Sequence, residues 1–245
     1  MLWYETEGRS AGLKKNLQIA LLVAILLAAL RTGYTLYERH TETVEQTRKQ
    51  PPPLNPDYYV VPKKLHPYDL KSAKQLTQQP VWVKVGYSST YYRYDLKSHH
   101  VDFAHEVGQL LPIEELKIKD VVSEVAPSAP DQRQVMAIFE KDGKTYAFSI
   151  GSLKDDTYKI YSDDMLYIQD PHELYRHWPP DIWAAIDQHE VKTGMNELQA
   201  DFAIGLGIAK GSGDSEEKAV NYSNGGKPFS VTYRKGKAVE VRPGS

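Results

Sequence analysis

The clearest potential for chemistry lies in the segment HHVDFAHE, which places His99, His100, His105 and Glu106 within eight residues. Imidazole and carboxylate groups are zinc ligands and could support metal-assisted catalysis. Their spacing matches no compact zinc pattern, and histidines are common in polar loops. We therefore predict no metal and no cofactor, and keep His99, His100 and His105 as an alternative metal site.

A second group with chemical potential is aromatic and is centred on Trp82, Tyr91 and Tyr92. Aromatic side chains on a surface can bind a glycan or a peptide, but they also pack in pairs across neighbouring strands. Packing is the more common role. The three residues are therefore kept as an alternative ligand surface.

Other enzyme-like segments fail on spacing. In HELYRH the histidines His172 and His177 are five apart, whereas the zincin motif needs two histidines four apart on one helix face. The segment GLGIAKGSG, residues 205–213, follows a predicted helix rather than a strand and lacks the phosphate-loop ending, which indicates a loop. Adjacent Asp163 and Asp164 would point to opposite faces of a strand and fit a turn better than paired catalysis. We predict that the chain is not an enzyme.

The amino-acid composition excludes several kinds of site and partner. The chain has 245 residues, no cysteine and a net charge of -2. The lack of cysteine excludes disulfides, thiol catalysis and thiolate metal sites. Residues 81–245 carry 19 basic and 25 acidic side chains. An acidic folded part is poorly suited to phosphate backbones, so no nucleic-acid partner is expected.

The N-terminal segment LQIALLVAILLAAL, residues 17–30, is apolar except for Gln18. A membrane span needs about 20 residues, and continuing to Tyr37 provides that length. Arg31 lies near the end of this stretch, where its side chain can reach the headgroups. We predict a transmembrane helix over residues 17–37. The alternative is a cleaved signal peptide, although no Ala-x-Ala cleavage site is present.

The flanking segments predict the topology of the anchor. Residues 1–16 form a predicted cytoplasmic tail, because Lys14 and Lys15 directly precede the apolar run. The C-terminal domains are then expected in the periplasm or outside, on the bacterial inner (cytoplasmic) membrane. Residues 38–80 contain seven of the fifteen prolines and are predicted to be a Pro-rich linker.

Residues 81–169 have the alternating pattern of short strands. VWVKV alternates, and QVMAIFEKDGKTYAFSIG predicts a hairpin around Asp142 and Gly143. Five or six such strands predict a small antiparallel β-barrel-like module.

Residues 170–245 predict an α+β module. Asp170 begins one short helix. PPDIWAAIDQHEV predicts another helix, and Asn196 is placed to cap a third, with Gln199 returning the hydrogen bond and Gly205 providing a left-handed C-cap. Three strands follow as a meander, with turns at Asn224-Gly225 and Lys235-Gly236. Short helices would then pack on a three-stranded antiparallel sheet.

This C-terminal module resembles the BamE/SmpA-type bacterial envelope domain. The resemblance covers about residues 182–242 and rests on GMNELQADFAIG followed by VNYSNGGKPFSVTYRKGKAVEV. It implies a non-catalytic α+β scaffold in envelope assembly. The chain departs from the family pattern in its uncleaved anchor, its lack of a lipidated cysteine and its upstream module.

Together these features predict a membrane-anchored, non-catalytic envelope protein. It would act as a scaffold or interaction subunit of a membrane-associated complex, with the lipid bilayer and envelope proteins as partners. The alternative is a module that binds cell-wall glycan or peptide, and a metal-dependent enzyme is the less favoured possibility. The small-molecule ligand, if there is one, is unknown.

Overall fold

A computed structural model describes residues 5–48, 54–87, 89–127, 129–210, 217–223 and 226–244. The chain divides into two compact units, residues 1–55 and residues 56–245. The architecture is α+β, with an N-terminal apolar helix and antiparallel sheets.

Strands outnumber helices in the described part of the chain. The helices are α1 (Glu5–Arg48), α2 (Leu70–Ala73), α3 (Ser162–Met165), α4 (Pro171–Leu174), α5 (Pro180–Asp187) and α6 (Glu197–Ile204), with 3-10 turns at Pro56–Tyr59 and Lys74–Gln78. The strands are β1 (Val81–Val83), β2 (Thr90–Asp95), β3 (His100–Gln109), β4 (Glu115–Leu116), β5 (Ile118–Ala126), β6 (Ala129–Lys141), β7 (Lys144–Lys154), β8 (Thr157–Ile160), β9 (Leu166–Tyr167), β10 (Gly207–Lys210), β11 (Glu217–Tyr222), β12 (Phe229–Arg234) and β13 (Lys237–Pro243).

The first unit contains α1, whose segment Asn16–His40 is long and apolar enough to cross a membrane. The apolar side chains of this segment are exposed. The hydroxyls of Thr32 and Thr35 each donate to the carbonyl four residues earlier, at 2.8 Å. Their polar groups are thus satisfied within the helix, as an apolar solvent requires. The helix is compatible with a single transmembrane anchor or a signal sequence.

In the second unit, the largest described sheet has the strand order β3-β2-β7-β6-β5, and β8 pairs with β7. The hairpin between β6 and β7 confirms the predicted turn, where Asp142 and Gly143 both have positive φ, at 52° and 70°. Two positive φ values define the turn type that suits the twist of a hairpin. The predicted barrel is wrong, because β3 and β5 end the ladder unpaired within the described residues and no sheet closes.

One segment of the β-rich region differs from its predicted conformation. The segment HHVDFAHE, interpreted as a polar loop, supplies the first part of β3, which pairs with β2 at both ends with an irregularity between Asp102 and Glu106. Most of its side chains are exposed, because β3 is an edge strand with one solvated face. Asp163 and Asp164 lie in the single helical turn α3, which connects β8 and β9, so the predicted turn between strands is confirmed.

The short strand β1 has the predicted alternation. Val81 and Val83 are buried, whereas Trp82 is half-buried on the other face. β1 lies between β4 and β9 in a separate small sheet.

The C-terminal helices α4 and α6 begin at the predicted caps, and α6 ends at the predicted glycine. Asp170 caps α4, and Asn196 and Gln199 form a reciprocal capping box at α6. Gly205 has φ 89° and ψ 177°, so glycine is needed there, although this is not the predicted left-handed helical conformation.

The C-terminal sheet contains one more described strand than predicted, in the order β10-β11-β12-β13. The additional strand β10 lies within the GLGIAKGSG segment that was predicted to be a loop; residues 211–213 of that segment lie outside the described residues. The predicted turn at Asn224-Gly225 also lies outside the described residues. Lys235 and Gly236 form the other turn, both with positive φ.

Residues 56–80 were assigned to the linker, but they belong to the second compact unit. Ala73 and Leu76 are buried with side chains of the β-rich region. The β-rich and C-terminal regions also share packing, since Trp82 and Ile113 contact the cluster around α5 and α6. Residues 81–169 and 170–245 therefore pack together in one unit.

Candidate functional site

A cleft of about 880 Å³ opens in the second unit where loops of the β-rich region meet α6 and the C-terminal sheet. Its volume lies within the range of about 300–1,000 Å³ typical of ligand sites. The residues lining it are Gly86, Gln109, Leu110, Leu111, Pro112, Gln188, His189, Ala203, Ile204, Gly205, Leu206, Ser223, Lys227 and Phe229.

Glycine backbone conformations shape this cleft. Gly86 has φ 90°, which side-chain-bearing residues rarely adopt. A Cβ atom at Gly86 would lie 2.7 Å from the Cδ1 atom of Leu206, so glycine also permits this close approach. Gly205 ends α6, and its N–H donates to the Asp201 carbonyl at 2.9 Å. The chain can then turn and bring Leu206 to the cleft wall.

His189 is held at the cleft in an unusual conformation. Its φ is 54°, which is uncommon for a residue other than glycine. Its Nδ1 atom lies 2.9 Å from the Ala203 carbonyl oxygen, which can only accept, so we assign the ring hydrogen to Nδ1. The Nε2 atom is then left to contact a ligand.

The lining combines apolar surface with hydrogen-bonding groups. The apolar side chains of Leu111 and Leu206 are 41% and 59% exposed, so they provide apolar contact surface in the cleft. Lys227 is the charged residue among those lining the cleft, and the lining includes no carboxylate within the described residues. This combination suits a ligand with apolar groups and an anionic group.

An adjoining recess of about 270 Å³ shares Leu111, Pro112 and His189 with the cleft. It adds two carboxylates that already have partners. Glu114 Oε2 accepts from the Leu111 N–H at 3.0 Å. Asp187 Oδ1 lies 3.1 Å from His172 Nε2.

A half-buried carboxylate, Asp201, lies in α6, the helix that contributes to the cleft. Burial, followed by repulsion from Glu197, raises the pKa of Asp201 to about 6. Contacts with the Tyr222 hydroxyl and the Gly207 N–H partly oppose this shift. Within the described residues, Asp201 Oδ1 has no hydrogen-bond partner. The Tyr222 and Tyr233 hydroxyls lie 2.8 Å apart, and burial raises the pKa of Tyr233 to about 12.

Asp57 forms a second polar centre, and its side chain is only 7% exposed. Its Oδ1 atom lies 2.6 Å from His177 Nε2 and accepts from Trp178 Nε1 at 2.7 Å. Its Oδ2 atom accepts from Asn196 Nδ2 at 3.3 Å. One carboxylate thus joins the start of the second unit to its C-terminal helices.

The structure does not bring the three predicted histidines together as a metal site. His99 occupies a turn with φ 56°. His100 Nδ1 lies 3.4 Å from Glu124, and His105 Nδ1 lies 3.0 Å from Asp102. In the part of the chain that the structure describes, no group of three His, Cys, Asp or Glu side chains could hold a metal ion.

The predicted aromatic ligand residues face three different clusters. Trp82 packs against the C-terminal cluster. Tyr91 contacts Phe139 and Tyr146, with ring centroids 5.6 and 5.2 Å apart. Tyr92 contacts Phe103 at 5.3 Å, on the opposite face of β2. The three side chains therefore do not form one ligand surface.

The cleft was missed by sequence reasoning because its lining comes from separate loops. His189 and Gly205 fall at the ends of the segment that contains α6, but their spacing resembles no ligand motif. The local sequence feature of the cleft is the pair Gly205-Leu206. It indicates a cleft wall only once the fold places Gly86 against Leu206.

Comparisons of the chain with protein families, with curated proteins and with solved structures find no match. The BamE/SmpA-type resemblance therefore remains a prediction from the residues of α6 and the meander.

Proposed function

We propose that this chain is a single-pass membrane protein whose folded unit binds a protein partner, as a non-catalytic scaffold or interaction subunit. The observation that carries the proposal is the exposed apolar helix Asn16–His40 in a chain that also contains a compact unit of residues 56–245. Exposed leucine and isoleucine side chains along a whole helix are unfavourable in water and favourable in lipid.

The proposed orientation places the N-terminus in the cytoplasm and the folded unit in the periplasm or outside. Lys14 and Lys15 before the apolar segment support this orientation. The BamE/SmpA-type resemblance supports a location in the bacterial cell envelope. That resemblance also favours a scaffold, because the family it points to is non-catalytic.

The cleft is the proposed docking site for the partner. We assign it one occupant, an extended segment of a protein with apolar side chains and an acidic group. Leu111 and Leu206 offer apolar contact, and Lys227 offers charge complementarity to the acidic group. The unprotonated Nε2 atom of His189 can accept a hydrogen bond from a backbone N–H of the segment. Peptide sites commonly combine apolar anchors with a few placed polar groups.

Membrane insertion is tested on the full chain by alkaline carbonate extraction of membranes and by N-terminal sequencing. We expect the protein to stay in the membrane pellet with its apolar segment retained. Release of the intact protein, or a mature N-terminus beyond residue 30, would refute the anchor.

Docking is tested by placing a photo-crosslinking amino acid at Leu206 of the full chain in native membranes. The control position is Leu96, which is 63% exposed and does not line the cleft. We expect one envelope protein to be captured at position 206 and not at 96, and the capture to be lost in Lys227→Glu. Equal capture at both positions, or capture unaffected by Lys227→Glu, would contradict docking in the cleft.

A further inference from the structure

The segment 56–66, which we call the strap, exposes large apolar side chains at the start of the second unit. Tyr58 is 78% exposed, Tyr59 is 68% exposed and Val61 is 82% exposed. Isolated exposed apolar residues are normal, whereas several in one short segment indicate a contact surface.

The strap is fixed to the folded unit from its other side. The Asp57 carboxylate holds its first turn through contacts with His177, Trp178 and Asn196. Val60 packs against the C-terminal cluster. Asp57 and Val60 thus attach the strap to the folded unit, while Tyr58, Tyr59 and Val61 remain exposed to solvent.

The second half of the strap is held through its backbone. The Lys63 N–H donates to Gln169 Oε1 at 2.9 Å. The N–H groups of Leu65 and His66 donate to the two carboxylate oxygens of Asp163, at 2.9 and 2.7 Å. These bonds join residues about 100 positions apart in the chain. They fix the backbone while leaving the side chain of Lys63 exposed.

The short chain between the apolar segment and the strap limits how far the strap can lie from the bilayer. It is the first part of the second unit after α1, and seven residues separate Arg48 from Pro56. Eight helical residues beyond His40 and a fully extended seven-residue connection together span at most about 40 Å. A compact unit of 190 residues has a radius of gyration of about 16 Å, so this reach is comparable to the diameter of the unit. A bilayer that holds the anchor therefore lies within reach of the strap.

We infer that the strap is a second membrane contact, with Tyr58, Tyr59 and Val61 in the headgroup region of the bilayer that holds α1. Tyrosine is enriched at this depth because its ring is apolar and its hydroxyl is polar. Lys63 follows two residues after Val61 and its exposed side chain can contact lipid phosphates, whereas Lys64 is already paired with Asp164 at 3.9 Å. This inference rests on the proposed anchor.

The absence of cysteine allows a direct test in the full chain, since each introduced cysteine is the single labelling site. Spin labels are placed by the substitutions Tyr58→Cys, Val61→Cys, Leu26→Cys and Leu96→Cys. Each variant is reconstituted in nanodiscs of phosphatidylcholine and phosphatidylglycerol without other proteins. The accessibility of each label to oxygen and to an aqueous nickel chelate gives its depth in the bilayer.

We expect the labels at 58 and 61 to lose accessibility to nickel and gain accessibility to oxygen relative to the label at 96. The label at 26 reports the anchor and should be deeper than both. If the label at 26 is in the bilayer while 58 and 61 match the aqueous label at 96, the strap inference is refuted and the anchor stands. If the label at 26 is itself aqueous, the anchor fails and the strap inference fails with it.

A matched variant separates lipid contact from a protein interface. The substitutions Tyr58→Ser and Tyr59→Ser together change exposed side chains only, so thermal unfolding should be unchanged. In this background we expect the label at 61 to become more accessible to nickel. Protection of positions 58 and 61 in native membranes but not in the nanodiscs would assign the strap to a protein partner and overturn the lipid assignment.

Discussion

At the residue scale, the second unit depends on a few carboxylates with unequal surroundings. Asp57 is satisfied by hydrogen bonds to both oxygens. Asp201 is half-buried, and its buried Oδ1 atom has no hydrogen-bond partner among the described residues, which makes its ionised form unfavourable. The two aspartates should therefore respond in opposite ways to substitution.

Replacing Asp201 with Asn should stabilise the protein near neutral pH relative to the parent. The pKa of Asp201 is raised from 3.8 to about 6 in the folded state, so the folded state binds the proton more tightly than the unfolded chain. The contribution of this group to the free energy of unfolding is full below about pH 4, near the unfolded pKa, and is lost as the pH rises through about 6. An Asn side chain stays neutral and should remove this loss.

The check is urea unfolding of parent and Asp201→Asn on either side of the Asp201 pKa, in mildly acidic and in mildly alkaline buffer. The exposed Asp181→Asn provides the same change of charge on α5 as a control. An equal fall in stability between the two buffers in parent and Asp201→Asn would contradict the assignment.

At the element scale, α6 shows why short helices need strong ends. It has eight residues, which is too few for stability in isolation, and it is held by its cap and by the burial of Ala200, Phe202 and Ala203. Asn196 has two roles, since Oδ1 accepts from the Gln199 N–H at 2.8 Å and Nδ2 donates to Asp57.

Substitutions at Asn196 should separate these two roles. Asn196→Ala removes both contacts and should reduce the free energy of unfolding by about 1–2 kcal/mol. Asn196→Ser retains a capping oxygen and should recover part of this loss. Asn196→Asp also retains the cap but places a second carboxylate against Asp57, so it should be less stable than Asn196→Ser. Equilibrium unfolding of the three variants at neutral pH is the measurement, and equal stability of the Ser and Asp variants would argue against the contact with Asp57.

At the scale of the whole molecule, the second unit is closed by contacts between residues far apart in the chain. The first turn of the unit, at Pro56–Tyr59, is bonded through Asp57 to residues at 177, 178 and 196. The first turn of the strap is thus tied to the C-terminal region, while its second half is bonded to Asp163 and Gln169 of the β-rich region.

Loss of the Asp57 carboxylate should both destabilise the unit and release the strap. Asp57→Ala leaves the buried donor Trp178 Nε1 unpaired, and an unpaired buried group costs about 1–3 kcal/mol. We expect a lower melting temperature and faster proteolysis near Lys63 and Lys64, measured by thermal unfolding and limited trypsin digestion. The exposed variant Asp181→Asn serves as the control. Unchanged cleavage in Asp57→Ala would show that the other contacts of the strap are sufficient.

The local features of the chain could be predicted because the residues that determine them are adjacent. The apolar run of α1, the turn at Asp142-Gly143 and the capping box at Asn196 each depend on one short run of consecutive residues. The strand β3 was missed because an edge strand with a solvated face carries the polar composition of a loop. The barrel was predicted in error because strand count does not determine whether the end strands pair.

The sequence by itself thus determined the apolar N-terminal helix, the α+β composition with β-hairpins, and the ends of the short helices. These features follow from the periodicity of apolar residues and from the backbone preferences of individual residues. Only the tertiary structure decided that residues 56–80 join the folded unit, that Trp82, Tyr91 and Tyr92 pack in separate clusters, and that the cleft exists. Those features arise from contacts between distant segments, as with Asp57 and Trp178, which are 121 residues apart. Such pairings depend on how complementary surfaces meet in space, which no local pattern encodes.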